Sequence, residues 1–167
     1  PHDLVFDMLT FTIGSGDDEY RTAGVETMEA IREFQILHPE VGTTLGLSNI
    51  SFGLDQKARI YLNSIYLDHC VRAGLTSAIV NVKHILPLNK ISAEDRLACD
   101  NLIFNNHENG DPLFAFIEHF STVEAQEEQT DEEYQNMPPL DKVQKLLLDG
   151  DKDRLLPLVE ELRHTVK

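Results

Sequence analysis

The sequence predicts an α/β fold assembled from successive βα units. Three short runs rich in apolar or β-branched residues, at 4–7, 41–47 and 76–82, have the composition of strands. Amphipathic helical stretches with caps and glycine stops separate them. Three parallel strands cannot close a barrel of eight, and right-handed crossovers alone would leave the edges of their sheet open. The chain is therefore expected to be a fragment of a larger α/β domain or to have an unusual fold.

The first unit begins with Leu4–Asp7, which is expected to form a buried strand. Its apolar continuation is closed by Gly14-Ser15-Gly16, where the backbone is free to turn. Asp17 or Asp18 can cap the helix that follows, because a carboxylate accepts hydrogen bonds from the free N–H groups of a first turn. An apolar stripe at helical spacing predicts roughly twenty residues of helix, ending at His38-Pro39.

The second unit contains a strand at Val41–Leu47 that runs directly into Ser48 and Asn49. Asp55 is a suitable cap for the next helix, and Gly74 is a suitable glycine just after its end. The unit therefore places two polar residues at the carboxyl end of its strand, immediately before the helix.

The third unit starts with Thr76–Val82, whose almost continuous apolar character predicts a strand covered on both faces. Helical material is expected from Ser92 to Asn106, and Asp111–Phe120 predicts a further short amphipathic helix.

The composition changes sharply after that helix. Residues 122–136 are rich in acidic side chains and poor in apolar ones, so we expect a solvated acidic linker. Residues 137–167 return to helical periodicity, with Gly150 as a stop between two helices. Such a hairpin cannot bury its own apolar stripes and needs a partner.

Charge and cysteine content exclude several classes of protein. The formal net charge of −15 disfavours a nucleic-acid partner. Cys70 and Cys99 lie in apolar helical surroundings and are expected to be buried, reduced thiols, which favours the cytoplasm. No apolar run is long enough for a membrane span, and no histidine spacing is typical of a metal site.

Candidate ligand-binding residues lie where the strands end, because ligands of βα sheets bind at the carboxyl edge. A carboxylate at Asp7, within an apolar stretch, needs paired donors, and the adjacent N–H and NH₂ groups of a pterin would supply them. Asn49 offers an acceptor and two donors for a ring nitrogen. Ser48, Asn81 and Lys83 are the other candidates. Turn formation or helix capping remains an alternative for an Asp or Asn that ends a strand.

Several stretches together resemble the pterin-binding, methyltetrahydrofolate-using barrels of the cobalamin-dependent methionine synthase family. They cover most of residues 3–121, and the Gly-Leu-Ser-Asn turn in TTLGLSNISFGL is the most specific. The matching stretches are residues 6–16, 24–31, 43–54, 62–80 and 83–91.

The resemblance implies a fold and a domain order. Residues 1–121 would be the last three βα units of a pterin-binding (β/α)₈ TIM barrel, and 122–136 would be the acidic linker. Residues 137–167 would begin the helical cap that precedes a cobalamin-binding domain. The rest of the barrel, most of the cobalamin domain and the zinc-containing homocysteine module would lie outside this chain.

The resemblance also implies site residues and a reaction. Asp7 would bind the pyrimidine edge of the pterin, Gly46 and Ser48 would line its ring, and Asn49 would lie near N5. The reaction would be transfer of the N5 methyl group of 5-methyltetrahydrofolate to cob(I)alamin for methionine synthesis. Asn49 would support a protonated or hydrogen-bonded N5 without acting as the acid.

We expect the isolated chain to be inactive, because its site would be incomplete. An alternative from another class is a non-catalytic interaction module, in which the acidic linker and the helical hairpin bind a protein partner.

Overall fold

The chain divides into two units. A computed structural model describes residues 2–108, 110–149 and 152–165. The first unit comprises residues 1–122 and the second comprises residues 123–167. The predicted site lies entirely in the first unit.

Two parallel strands form the regular sheet of the first unit. Strand β1 (Val5–Asp7) pairs with β2 (Gly42–Thr44), and Asp7 lies opposite Thr44. The backbone N–H of Met8 extends the pairing by donating to Thr44 O at 2.9 Å. The parallel arrangement confirms the order of the first two units, although both strands are shorter than predicted.

The third predicted strand is not regular. Residues 76–80 follow β2 in parallel, with Ser77 N–H donating to Thr43 O at 3.0 Å and Ile79 N–H to Leu45 O at 2.8 Å. Ile79 also forms a parallel bridge with Gly46. The far side of this segment has no pairing strand among the described residues, and Ile79 is 67% exposed. The expectation of a fully covered strand at 76–82 is therefore wrong for this chain.

The expectation that β1 is buried is also wrong. Leu4, Val5 and Phe6 are 54%, 60% and 49% exposed. The reason is position, because β1 forms the outer edge of the sheet and pairs only with β2 in the described chain.

Helices α1 and α2 begin and end close to the predicted positions. A short 3₁₀ turn at Asp18–Tyr20 leads into α1 (Ala23–Leu37), and Asp17 caps the turn by accepting from the backbone N–H of Glu19 at 3.1 Å.

Helix α2 (Gln56–Ala73) is capped by Asp55, which accepts from Lys57 N–H at 2.8 Å. Gly74 ends the helix with a φ of +114°, a conformation that strains other residues. A side chain there would also approach Gln35 to 2.8 Å.

Helix α3 (Ala93–Ile103) completes the core, with Ser92 as its cap. The core lies between the helices and the inner side of β2, and Ile31, Leu45, Leu62 and Ile103 are each 0% exposed.

Both cysteines are free and buried, as predicted. Burial raises the pKa of the Cys70 thiol to about 12, and burial followed by the nearby carboxylates raises the pKa of Cys99. Each thiol therefore remains neutral at physiological pH.

Helix α4 (Pro112–Asn136) differs from the prediction of a short helix followed by a separate, solvated acidic linker. The helix continues through the acidic stretch because that stretch contains good helix formers and no glycine or proline. Pro138 and Pro139 follow its end.

Helices α5 (Pro139–Asp149) and α6 (Lys152–Thr165) belong to the second unit and contact each other. The predicted stop at Gly150 and the predicted final residue, Val166, lie outside the described residues. Over the part of the chain that the structure describes, none of the helices has the length and apolarity needed to cross a membrane.

Candidate functional site

The carboxyl ends of β1, β2 and the 76–80 segment lie side by side. Asp7 is the last residue of β1 and pairs with Thr44 of β2. Gly46, two residues after Thr44, forms a bridge with Ile79. The sheet therefore places Asp7, residues 46–49 and Asn81 at the same edge, as the βα pattern predicted. We call residues 46–49 the tip.

Asp7 is exposed rather than enclosed by apolar side chains. Its Oδ1 accepts a hydrogen bond from the backbone N–H of Leu9 at 3.0 Å, and Leu9 has a φ of +41°. Asp7 therefore helps to form the turn after β1, as the turn-former alternative allowed. Its Oδ2 has no hydrogen-bond partner among the described residues and remains available to a ligand.

The tip is fixed by its backbone and by two buried leucine and isoleucine side chains. Leu47–Ser51 forms a 3₁₀ turn, in which Asn49 N–H donates to Gly46 O at 3.2 Å. Leu47 and Ile50 are 1% and 0% exposed and pack into the core. Ser48 and Asn49, between them, are exposed. The alternation of burial therefore presents both polar side chains to solvent.

The Asn49 side chain makes no hydrogen bond to any described residue, unlike Asp7 and Asn81. Asn81 accepts from Lys83 N–H at 3.2 Å and caps the short turn that follows, so the capping alternative is confirmed for Asn81. Lys83 is exposed. The amide of Asn49 therefore keeps both donors and its acceptor for a ligand.

Gly46 leaves space beside that amide. Its φ of −73° is open to any residue, so the backbone does not require glycine here. A Cβ at this position would lie 3.6 Å from Asn49 Nδ2, which is van der Waals contact. Glycine at position 46 therefore keeps one side of the Asn49 amide uncovered.

A network of polar side chains supports the tip from α2. Ser51 is fully buried, and its Oγ donates to Asn63 Oδ1 at 2.8 Å. Arg59 donates from Nε to Ser51 Oγ at 3.1 Å and from Nη2 to the backbone oxygen of Ser48 at 3.2 Å. Since Arg59 and Asn63 are four residues apart on one face of α2, the helix anchors the tip at two levels.

A cavity of about 440 Å³ adjoins the tip. We call it the carboxyl-end cavity, because Leu47 and Ser48 of the tip and the end of the 76–80 segment form one of its walls. Two of the predicted strand-end residues, Ser48 and Asn81, line the cavity, whereas Asp7, Gly46, Asn49 and Lys83 do not. Residues of α2 and of the turn after the 76–80 segment form the rest, including Gln56, Arg59, Ile60, Asn63, His84 and Ile85.

Sequence reasoning missed Arg59, Ser51 and Asn63. A signal was present, because Arg59 and Asn63 are four residues apart on the predicted helix, each next to an apolar residue, Ala58 or Leu62. A lone arginine on a helix is usually a surface residue, so the pattern did not single it out.

The arrangement offers hydrogen-bond donors and acceptors to a polar ligand at the strand ends. It offers an unpaired carboxylate oxygen, a free amide and a guanidinium supported by buried hydrogen bonds. Among the described residues, no group of three or more His, Cys, Asp or Glu side chains could hold a metal ion. The chemistry available to these side chains is hydrogen bonding and electrostatic stabilisation.

Comparison with known proteins identifies relatives over 91% of the chain. The family described as "Pterin binding enzyme" matches residues 1–81. "Methionine synthase" of Mycobacterium leprae is 43% identical over 155 residues, covering 91% of this chain and 13% of the relative. "Methionine synthase" of Mycobacterium tuberculosis has the same identity and coverage. The chain thus spans 13% of the length of these relatives. Over 91% of its length the chain is therefore similar to part of a methionine synthase, and the pterin-binding match falls on the strands that form the candidate site.

Proposed function

We propose that this chain forms part of the 5-methyltetrahydrofolate site of a cobalamin-dependent methionine synthase. The complete protein would pass the N5 methyl group of that folate to cob(I)alamin. The observation that best supports this is the tip, where a rigid turn presents the free Asn49 amide at the carboxyl edge of a parallel sheet.

The exposed sheet edges support a larger barrel. The strands follow one another in sequence order, as in a (β/α)₈ barrel, and each outer segment exposes apolar side chains. Val5 is 60% exposed on one side and Ile79 is 67% exposed on the other. Further strands of the proposed barrel would cover these edges and complete the pterin site.

Asp7 and Asn49 have separate roles in the proposal. The Asp7 carboxylate accepts hydrogen bonds from the N–H and NH₂ groups of the pyrimidine edge, which orients the ring. Asn49 accepts a hydrogen bond from N5 when N5 is protonated and donates one to N5 when N5 is not. As the methyl group leaves, an electron pair returns to N5, and a hydrogen bond at N5 stabilises this charge distribution. Gly46 and Ser48 line the ring beside the amide.

Cobalamin would be the methyl acceptor, and its reduced form supplies a strong nucleophile. The second unit is the part of this chain that would contact it. Leu140, Leu148 and Leu156 are 79%, 80% and 69% exposed, as expected for apolar side chains that pack against a partner in the complete protein. In this proposal, residues 137–167 begin a cobalamin cap, and residues 122–136 form a helical connection to it.

Calorimetric titration of 5-methyltetrahydrofolate into the complete gene product tests this function. We expect Asp7→Asn to weaken binding at least about tenfold, because an amide replaces one carboxylate acceptor with a donor that opposes the ligand N–H groups. Asp3→Asn is the matched control, since Asp3 is also exposed but precedes β1. Its binding should equal that of the wild type.

Equal affinity of the wild type and Asp7→Asn would contradict the assigned role of Asp7. Failure of the folate to bind the wild type at all would reject the proposed function and favour the interaction module.

A further inference from the structure

The carboxyl-end cavity is lined by the guanidinium of Arg59, which has N–H donors that bond to no described residue. Arg59 uses two of the five guanidinium N–H groups for Ser51 Oγ and Ser48 O, which leaves three for a ligand. Among the described residues, no carboxylate lies within ion-pair distance of Arg59, whereas Arg21, Arg72 and Arg163 each pair with one. Arg59 is thus held in place by neutral groups, and its charge is not neutralised by a described carboxylate.

The lining of this cavity is unusual for such an acidic chain. The whole sequence has 29 Asp and Glu residues against 14 Lys and Arg residues, yet none of the lining residues is acidic. The lining instead combines Arg59 with the neutral amides of Asn63 and Asn81 and the imidazole of His84. Ile60 and Ile85 add an apolar surface. A site of this kind favours an anion attached to an apolar group.

The hydrogen bonds of Arg59 hold its charge in position before a ligand arrives. Ser51 is 0% exposed and Asn63 is 7% exposed, so the partners that fix the guanidinium are themselves immobile in the core. A cation oriented in advance loses little side-chain entropy on binding, which increases the affinity it can supply.

We propose that the carboxyl-end cavity binds the aminobenzoyl-glutamate tail of the folate, with Arg59 donating hydrogen bonds to a glutamate carboxylate. This inference rests on the proposed function and extends it beyond the pterin ring. The tail joins a flat apolar ring to carboxylates, which matches the apolar surface and the cation of the cavity. Ser48 belongs to both the tip and the cavity lining, so a ligand whose pterin lies at the tip can continue directly into the cavity.

The test compares two ligands in the complete gene product by calorimetric titration. The first is 5-methyltetrahydrofolate, and the second is 5-methyl-6-methyltetrahydropterin, which keeps the ring and lacks the tail. We expect the wild type to bind the folate at least about tenfold more tightly, and Arg59→Gln to remove this difference. Because Arg59 also supports the tip, the two ligands are compared within each variant, and a loss common to both ligands is attributed to the tip. Arg59→Lys keeps the positive charge but lacks the planar guanidinium with its paired N–H donors, so it should restore part of the difference.

Arg72→Gln is the matched control, because Arg72 lies on the same helix, outside the cavity, and pairs with Asp68. It should leave both affinities unchanged. An equal loss for both ligands in Arg59→Gln would mean that Arg59 only supports the tip, and would overturn the tail site.

The two ligands also separate this inference from the function on which it rests. If the wild type binds the tail-free pterin as tightly as the folate, the tail site fails and the pterin site stands. If neither ligand binds the wild type, the proposed function itself fails.

Discussion

Replacing Asn49 with alanine is expected to lower the rate of methyl transfer about 10²- to 10³-fold, the range found when one preorganised donor is removed from a reacting centre. The loss should fall on the chemical step, because the hydrogen bond to N5 matters most when the methyl group leaves. Stability should change by less than about 0.5 kcal/mol, since the Asn49 side chain is exposed and makes no hydrogen bond to any described residue.

Single-turnover transfer from 5-methyltetrahydrofolate, followed through the corrinoid absorbance of the complete protein, measures this effect. Asn89→Ala is a suitable control, because Asn89 is exposed and lies in the turn at Leu88–Lys90, outside the tip and the cavity lining. A rate within a factor of two or so of wild type for Asn49→Ala would contradict a role at N5.

The largest effect on stability is expected for Leu62→Ala, at about 2–5 kcal/mol. Leu62 is 0% exposed at the centre of α2, the helix that also holds Arg59 and Asn63. The substitution removes buried methyl groups and leaves a cavity that the surrounding helices cannot close fully. Because α2 anchors the tip, faster opening of this helix should also weaken pterin binding.

Hydrogen exchange of the α2 amides measures this loss within a larger protein, where a single unfolding transition is not assured. Val71→Ala provides the matched control, since Val71 lies on the same helix and is 56% exposed. Protection of α2 that is as high in Leu62→Ala as in Val71→Ala would contradict the packing described for Leu62.

Local chemistry explains why helix boundaries could be predicted from the sequence. Asp55 caps α2 through a neighbouring N–H, and Gly74 ends it through its own backbone conformation, so neither depends on distant residues. Ser92 caps α3 in the same way. These predictions needed only a few adjacent residues.

Strand burial could not be predicted, because it depends on what lies alongside. The apolar residues of β1 and of 76–82 indicated covered strands, yet Val5 and Ile79 are exposed in the described chain. The same side chains would be covered if further strands paired with these edges. The apolar sequence thus predicts that these side chains are more stable when buried. Whether they are buried depends on the segments that pack against the strand.

The acidic stretch was misjudged for a related reason. Its low apolar content indicated that it has no core to join, which says little about backbone conformation. Glutamate and glutamine favour helix, so α4 continues to Asn136.

The candidate site was predictable only in part. The strand-end rule located Asp7, Ser48 and Asn49 correctly at one edge. The rule does not extend to helices that pack against that edge, so it missed Arg59, which reaches the tip from one turn inside α2. Finding such a residue requires the distance between α2 and the tip, which only the folded chain provides.

The most direct test of the proposed site is a crystal structure of the complete gene product with bound 5-methyltetrahydrofolate. We expect pterin N5 to lie within hydrogen-bond distance of the Asn49 side-chain amide, at about 3 Å. A fully occupied pterin whose ring lies away from the carboxyl edge formed by Asp7 and the tip would contradict the account.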